Sequence, residues 1–182
     1  MAPTDVTMMA SLAVMEAIQH VTRLRPTLKW PNDVLLSGQK VCGILAESSM
    51  QAGVARAVLG MGINVNVDRE DLKSISGEAT SLQLELRQRV SREEIGIALV
   101  KSLDMWYRVL ARNPDVVYST WASRLDIIDR PLLVTDASGT WQGTGVAVKR
   151  DGGLLVRRDD GEIDTVLAAD VSIRTGSGLA RH

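Results

Sequence analysis

The residues best suited to chemistry fall in two stretches that lie close together in the chain. Lys29-Trp30-Pro31-Asn32-Asp33 is followed by Lys40-Val41-Cys42-Gly43-Ile44-Leu45, and Gly60-Met61-Gly62-Ile63-Asn64-Val65-Asn66 lies just downstream. A lysine ammonium such as that of Lys40 is a point charge suited to a carboxylate or a phosphate. Asn32, Asp33 and Asn64 carry oxygens that can hold Mg²⁺ or orient a nucleotide. Gly60 and Gly62 let backbone N–H groups approach a ligand closely. Together these residues point to an anionic, phosphate-bearing ligand lying across a sheet. Each also has a plain structural use. A lysine after a turn is usually solvated. Asn-Asp after proline forms turns. Cys42 suits a small buried position. Gly60-Met61-Gly62 is not a dinucleotide fingerprint, because Val65 stands where the third glycine belongs and no helix opens after it.

The elements that must position these residues can be read from spacing. Residues 4–22 predict a helix, with Met8, Leu12, Met15 and Ile18 at helical intervals and Met9 and Val14 widening the stripe. Thr27 to Trp30 predicts a short strand, broken by Pro31. Val34-Leu35-Leu36, a tight turn at Ser37-Gly38-Gln39, and a strand from Lys40 to Ala46 with Gly43 inside it follow. Ser48 to Gly53 predicts a turn, and Val54 to Gly60 another strand, completing an antiparallel meander. Residues 67–90 read as polar and irregular, with Ala79-Thr80-Ser81-Leu82 as a landmark. Ser91-Arg92-Glu93-Glu94 is a capping box opening a helix to about Ala111, with Ile95, Leu99, Leu103, Trp106 and Leu110 on one face. Asn113-Pro114 opens another helix, carrying Val117, Tyr118 and Trp121. From Pro131 onward, short apolar runs alternate with Asp/Gly turns, the pattern of a small β-barrel.

Composition narrows the function classes. The chain has 182 residues, 45% of them apolar and 24% charged, enough for one sizeable domain or one with a small appendage. A net charge of −1 argues against a general nucleic-acid binder. The single cysteine, Cys42, excludes an internal disulfide framework and a Cys-based zinc site. No apolar run is long enough to cross a membrane, and the N-terminal stretch reads as a folded helix rather than a signal peptide. The expected location is the cytoplasm.

Four ordered motifs carry a family resemblance. Lys29-Trp30-Pro31-Asn32-Asp33, Lys40-Val41-Cys42-Gly43-Ile44-Leu45-Ala46-Glu47, Gly60 through Asn66, and Ala79-Thr80-Ser81-Leu82 resemble the K-W-P-N-D, K-x-x-G-I-L-x-E, G-x-G-x-N-V-N and A-T-S-L motifs of biotin protein ligases. Asp151 to Val156 and Ala169 to Arg174 are similar to that family's small SH3-like domain, with Ala169 where a glycine is common. The resemblance implies an α+β fold: the rear portion of a class II synthetase-like catalytic domain over residues 1–128, an SH3-like domain over 129–176 and a tail over 177–182.

The activity that the resemblance implies is ATP-dependent attachment of biotin to a lysine of a biotin carboxyl carrier domain, through biotinyl-5′-AMP. Lys40 corresponds to the catalytic lysine, near the biotin carboxyl group and the α-phosphate. Gly43, Leu45, Gly60, Gly62 and Ile63, with Lys40, would line biotin. Asn32, Asp33, Asn64 and Arg174 would face ATP, with Asp33 and Asn64 toward its Mg²⁺. Nothing in residues 1–28 matches the family's G-R-G-R-x-G-R loop, nor a DNA-binding helix-turn-helix. The expectation is therefore an N-terminally truncated ligase that binds no DNA and needs a complementary N-terminal part. The alternatives are a non-catalytic biotin- or nucleotide-binding remnant, and a module whose open sheet edge self-associates as a homodimer or pairs with another chain. A related acyl acid such as lipoate is a further possibility, with biotin favoured by the G-I-L and G-x-G-x-N motifs.

Overall fold

Both motif stretches lie on one four-stranded antiparallel sheet. A computed structural model describes residues 3–51, 54–73, 78–136, 139–167 and 172–175. The strands are β1 (Thr27–Lys29), β2 (Asp33–Leu36), β3 (Gln39–Gln51) and β4 (Val54–Ile63), and their order in the sheet is the chain order. This is the expected meander. Ser37 and Gly38, with φ of 51° and 79°, make the two-residue turn between β2 and β3. Positive φ at both positions matches the twist of a tight hairpin. The sequence reading placed a turn from Ser48, but β3 continues to Gln51. Its ladder with β4 runs on through Ser48↔Ala57, Ser49↔Arg56, Met50↔Ala55 and Gln51↔Val54. Backbone pairing there overrides the turn preference of the two serines.

Helix α1 (Pro3–Thr22) covers one face of this sheet. It is buried over almost its whole circumference, from Val6 to Ile18, and not only along the expected stripe. The reason is its central place: it packs against β2, β3 and β4 and also against α4 (Arg92–Arg112) and α5 (Pro114–Ala122). Ala10, Ala13 and Ala17 fall on one stripe and are fully buried, which lets neighbouring elements approach closely. Ser91 caps α4 by accepting from the Glu94 N–H at 3.1 Å, as the capping-box pattern predicts. Ile95, Trp106 and Leu110 of α4, and Val117 and Trp121 of α5, are buried. Each such side chain contributes roughly 1.5–3 kcal/mol of burial free energy. The stretch read as irregular holds two short helices, α2 (Arg69–Leu72) and α3 (Leu82–Leu86).

The chain divides into two compact units, Met1–Arg124 and Leu125–His182. The second unit is a five-stranded antiparallel sheet of β5 (Pro131–Asp136), β6 (Gly139–Val148), β7 (Leu154–Arg158), β8 (Ile163–Val166) and β9 (Ser172–Thr175). The order is β8-β7-β6-β5-β9, and among the described residues it does not close into a barrel. Leu132, Val134, Val148, Leu154, Val156 and Val166 form its buried side. The segment Ala169-Asp170-Val171 and the tail from Gly176 lie outside the described residues. Among the described residues, no helix is long and apolar enough to cross a membrane.

Two glycines should respond to alanine in opposite ways. A Cβ on Gly96, inside α4, would meet nothing within 4 Å. Gly96→Ala should raise stability by about 0.5–1 kcal/mol through helix propensity. A Cβ on Gly145 would overlap the backbone carbonyl oxygen of Ile127, so Gly145→Ala should cost about 1–3 kcal/mol. Urea denaturation of the two variants checks both signs. Burial also pushes the Cys42 thiol up to about 12, helped by the negative charge of Asp33 and opposed by Lys40. The unfolded thiol ionises near 9, so its contribution to stability is intact below that pH and is lost as pH rises toward 12. Stability should fall between pH 9 and 11, and Cys42→Ala should flatten that fall.

Candidate functional site

Lys40 and Gly43 are three residues apart, and in a regular strand they would point to opposite faces. The structure brings them to one face through an irregularity in register. Val34 pairs with Cys42, but Leu35 pairs with Lys40, so Val41 is an extra residue in β3. Val41 and Cys42 are both buried. Beyond this bulge the alternation is reset, and Lys40 emerges on the side opposite α1 with Gly43 and Leu45. Across the ladder, Gly43 pairs with Gly62, Leu45 with Gly60 and Glu47 with Val58. One open face thus presents Lys40, a floor of three glycines, and the exposed apolar side chains of Leu45 (61% exposed) and Val58 (69%).

The Lys40 ammonium rests over Gly43. Its Nζ lies 2.6 Å from Asp33 Oδ1. A Cβ on Gly43 would sit 3.1 Å from both Cε and Nζ of Lys40, so the glycine leaves room for this pose. Lys40 is 40% exposed and Asp33 20%, which leaves the pair open to a ligand. The ammonium has three N–H donors. Asp33 can accept one, and the others can serve an incoming anion. Gly60 and Gly62 are different. A Cβ there would meet only ordinary contacts, with Leu45 O at 3.8 Å and Gly43 O at 3.9 Å. Neither glycine has a positive φ. The packing and backbone of the sheet itself do not require glycine at these two places.

The Ala79-Thr80-Ser81-Leu82 segment flanks Lys40. Lys40 N–H donates to Glu78 O at 2.9 Å, and Thr80 N–H donates to Lys40 O at 2.9 Å. Ser81 caps α3 by accepting from Leu84 N–H and donates to Val67 O at 2.7 Å. The Glu85 carboxylate accepts from Thr80 Oγ1 at 2.7 Å and from Ser37 Oγ at 2.8 Å. Sequence reasoning gave Thr80 no specific role and did not single out Glu85, because a glutamate in a short polar segment carries no distinguishing signal.

The asparagines are partly committed to the scaffold. Asn32 Nδ2 donates to Ile44 O at 2.6 Å, and Asn64 Nδ2 donates to Thr80 O at 3.1 Å. These bonds fix the Pro31-Asn32-Asp33 corner to β3 and Asn64 to the flanking segment, leaving the amide oxygens for other partners. Ile63 pairs with Cys42, so its side chain lies on the α1 side, opposite the glycine floor. Arg174 belongs to β9 of the second unit, paired with Leu133, and its side chain lies outside the described residues. No group of three or more His, Cys, Asp or Glu residues able to hold a metal occurs among the described residues. A carboxylate and an amide oxygen are donors of the kind that suit a Mg²⁺ keeping nucleotide phosphates among its ligands rather than one held by protein alone. A cleft of about 630 Å³ between α1 and α4, lined by residues including Glu16, His20, Glu94 and Lys101, contains none of the motif residues.

The model of the biotin/lipoate A/B protein ligase family matches residues 4–64. The bifunctional ligase/repressor BirA of Bacillus subtilis is 27% identical over 172 residues, covering 93% of this chain and 53% of the relative. The biotin–[acetyl-CoA-carboxylase] ligase of Paracoccus denitrificans is 29% identical over 178 residues, 94% of this chain and 73% of the relative. A structure of the Aquifex aeolicus biotin protein ligase in complex with biotin and ATP superposes with a TM-score of 0.79 at 25% identity, covering 94% of this chain and 72% of that one. The chain spans about half the length of the BirA relatives it matches (53% of the Bacillus subtilis protein). Over more than nine-tenths of its length the chain is thus similar to biotin protein ligases, and it shares their antiparallel α+β fold.

Proposed function

We propose that the open face of β3 and β4 binds biotin and the α-phosphate of ATP, and that the chain serves ATP-dependent biotinylation of a carboxyl carrier domain. The observation that carries this reading is the glycine floor. Gly60 and Gly62 are free of internal packing demands, yet they sit in register with Leu45 and Gly43 beside the Lys40 ammonium. Such a surface suits a flat apolar ligand that ends in a carboxylate. The relative crystallised with biotin and ATP supports the same choice of ligand.

In the first half-reaction a biotin carboxylate oxygen attacks the α-phosphorus, the bond to pyrophosphate breaks, and biotinyl-5′-AMP forms. In the second, the neutral amine of a carrier lysine attacks the acyl carbon, AMP leaves and a proton is released. Negative charge gathers on phosphate oxygens in the first step and on the acyl oxygen in the second. Lys40, held in place by Asp33, offers a preorganised cation to both. Mg²⁺ arriving with ATP screens the phosphates. Asp33, with the Asn32 and Asn64 amide oxygens, forms the nucleotide side of the face. Ile63 contributes through its backbone, since its side chain points the other way. The second unit is on this reading the SH3-like domain, with antiparallel strands joined by Asp-Gly turns as support. The carrier domain is the macromolecular partner.

Biotin-dependent ATP–pyrophosphate exchange tests this function, and a non-catalytic biotin- or nucleotide-binding role would give binding without exchange. Lys40→Ala should lower exchange by about 100-fold or more, the scale expected when a transition-state charge loses its partner. An undiminished rate in that variant would remove Lys40 from the mechanism. Gly62→Val should separate stability from function. Valine suits a strand, so urea stability should stay within about 0.5 kcal/mol of the parent or exceed it. Biotin binding measured by calorimetry should nevertheless be lost, because the side chain fills the floor.

A further inference from the structure

Resting on the assignment of Lys40 above, we infer that Glu85 is a positioning residue for Lys40: its one carboxylate clasps both backbone segments that fix where Lys40 enters the sheet. One oxygen accepts from Ser37 Oγ at 2.8 Å and the other from Thr80 Oγ1 at 2.7 Å. Ser37 is in the two-residue turn just before β3, and Lys40 is the second residue of that strand. Thr80 pairs directly with Lys40 through its N–H, at 2.9 Å from Lys40 O.

Two features show that both ends of the clasp need it. Ser37 adopts φ of 51°, a left-handed conformation that costs a non-glycine residue free energy. The bond to Glu85 offsets part of that cost and selects this turn. Thr80 is 1% exposed, so its hydroxyl would be left without an acceptor in a buried place if the carboxylate were removed. Thr80 O also accepts from Asn64 Nδ2, which extends the clasp to the nucleotide side of the face. Glu85 itself lies in the first turn of α3, after the Ser81 cap. Its loss would let the turn and the flanking segment move apart, and the Lys40 backbone lies between them. A shift on the scale of 1 Å at a catalytic group can cost up to about 100-fold in rate.

The experiment compares Glu85→Ala with Glu85→Gln in two readouts. The first is biotin-dependent ATP–pyrophosphate exchange. Glu85→Ala should lower kcat by about 10-fold or more while KM for ATP and biotin stays within about twofold. Glu85→Gln can accept one hydroxyl and donate to the other, so it should recover most of the loss. The second is amide hydrogen exchange at Lys40 and Thr80, which does not depend on activity. Both amides should lose protection in Glu85→Ala, with protection in α1 unchanged, and regain it in Glu85→Gln. Unchanged protection at both amides overturns the clasp, whatever the activity. Loss of protection without any effect on kcat in an active parent overturns the positioning role. If the parent shows no exchange but the amides respond as expected, the clasp stands and autonomous ligase activity of this chain fails. If Glu85→Ala does not fold, Ser37→Ala removes only the exposed arm and is judged by the same criteria.

Discussion

The extra residue in β3 is the constraint on which this molecule depends. With Val34 opposite Cys42 and Leu35 opposite Lys40, Val41 has no residue opposite it in β2, and its side chain is buried. Strict alternation would have placed Lys40 on the side of Cys42 and Ile44, against α1. An ammonium buried there without a partner would be costly. The bulge delivers it to the opposite side, over Gly43 and beside Asp33. A local irregularity thus converts a strand that would bury its lysine into one that displays it.

The two faces of the sheet divide the work. The α1 side is apolar and closed, with Val34, Leu36, Val41, Cys42 and Ile44 all nearly inaccessible to solvent. It supplies the burial that holds the strands. The other side supplies little packing of its own, and its glycines and exposed Leu45 and Val58 are poor choices for stability alone. The corner at Pro31, the Ala79–Leu82 segment and α3 surround Lys40 with backbone and side-chain hydrogen bonds. Asn32, Asn64 and Glu85 each tie two segments together there. Rigidity around the lysine therefore comes from polar links on one side and from apolar burial on the other.

Much of this was legible in the sequence. Helical periodicity marked α1 and α4, and the capping box and Asn-Pro pair marked the starts of α4 and α5. The order of four motifs carries the resemblance to biotin protein ligases. What sequence could not show follows from non-local pairing. Nothing in Lys40-Val41-Cys42-Gly43 announces a bulge, because the register is set by β2 and by the burial of Val41 and Cys42 together. The separation of Ile63 from Gly62 onto opposite faces follows from the same register. The length of β3 beyond Ala46 depends on its ladder with β4, which local serine preferences do not reveal. Glu85 acquires its place only through Ser37, 48 positions earlier, and Thr80.

Amide chemical-shift mapping tests the central claim most directly. The chain, labelled with ¹⁵N, is titrated with biotinyl-5′-AMP, and every resolved backbone amide is followed. The account predicts the largest changes at Gly43, Leu45, Gly60 and Gly62, with Lys40 and Asn64 next. It predicts no change along the cleft between α1 and α4. Shifts concentrated at Gln19, Ile97 and Lys101 of that cleft, with the glycine floor silent, would contradict it.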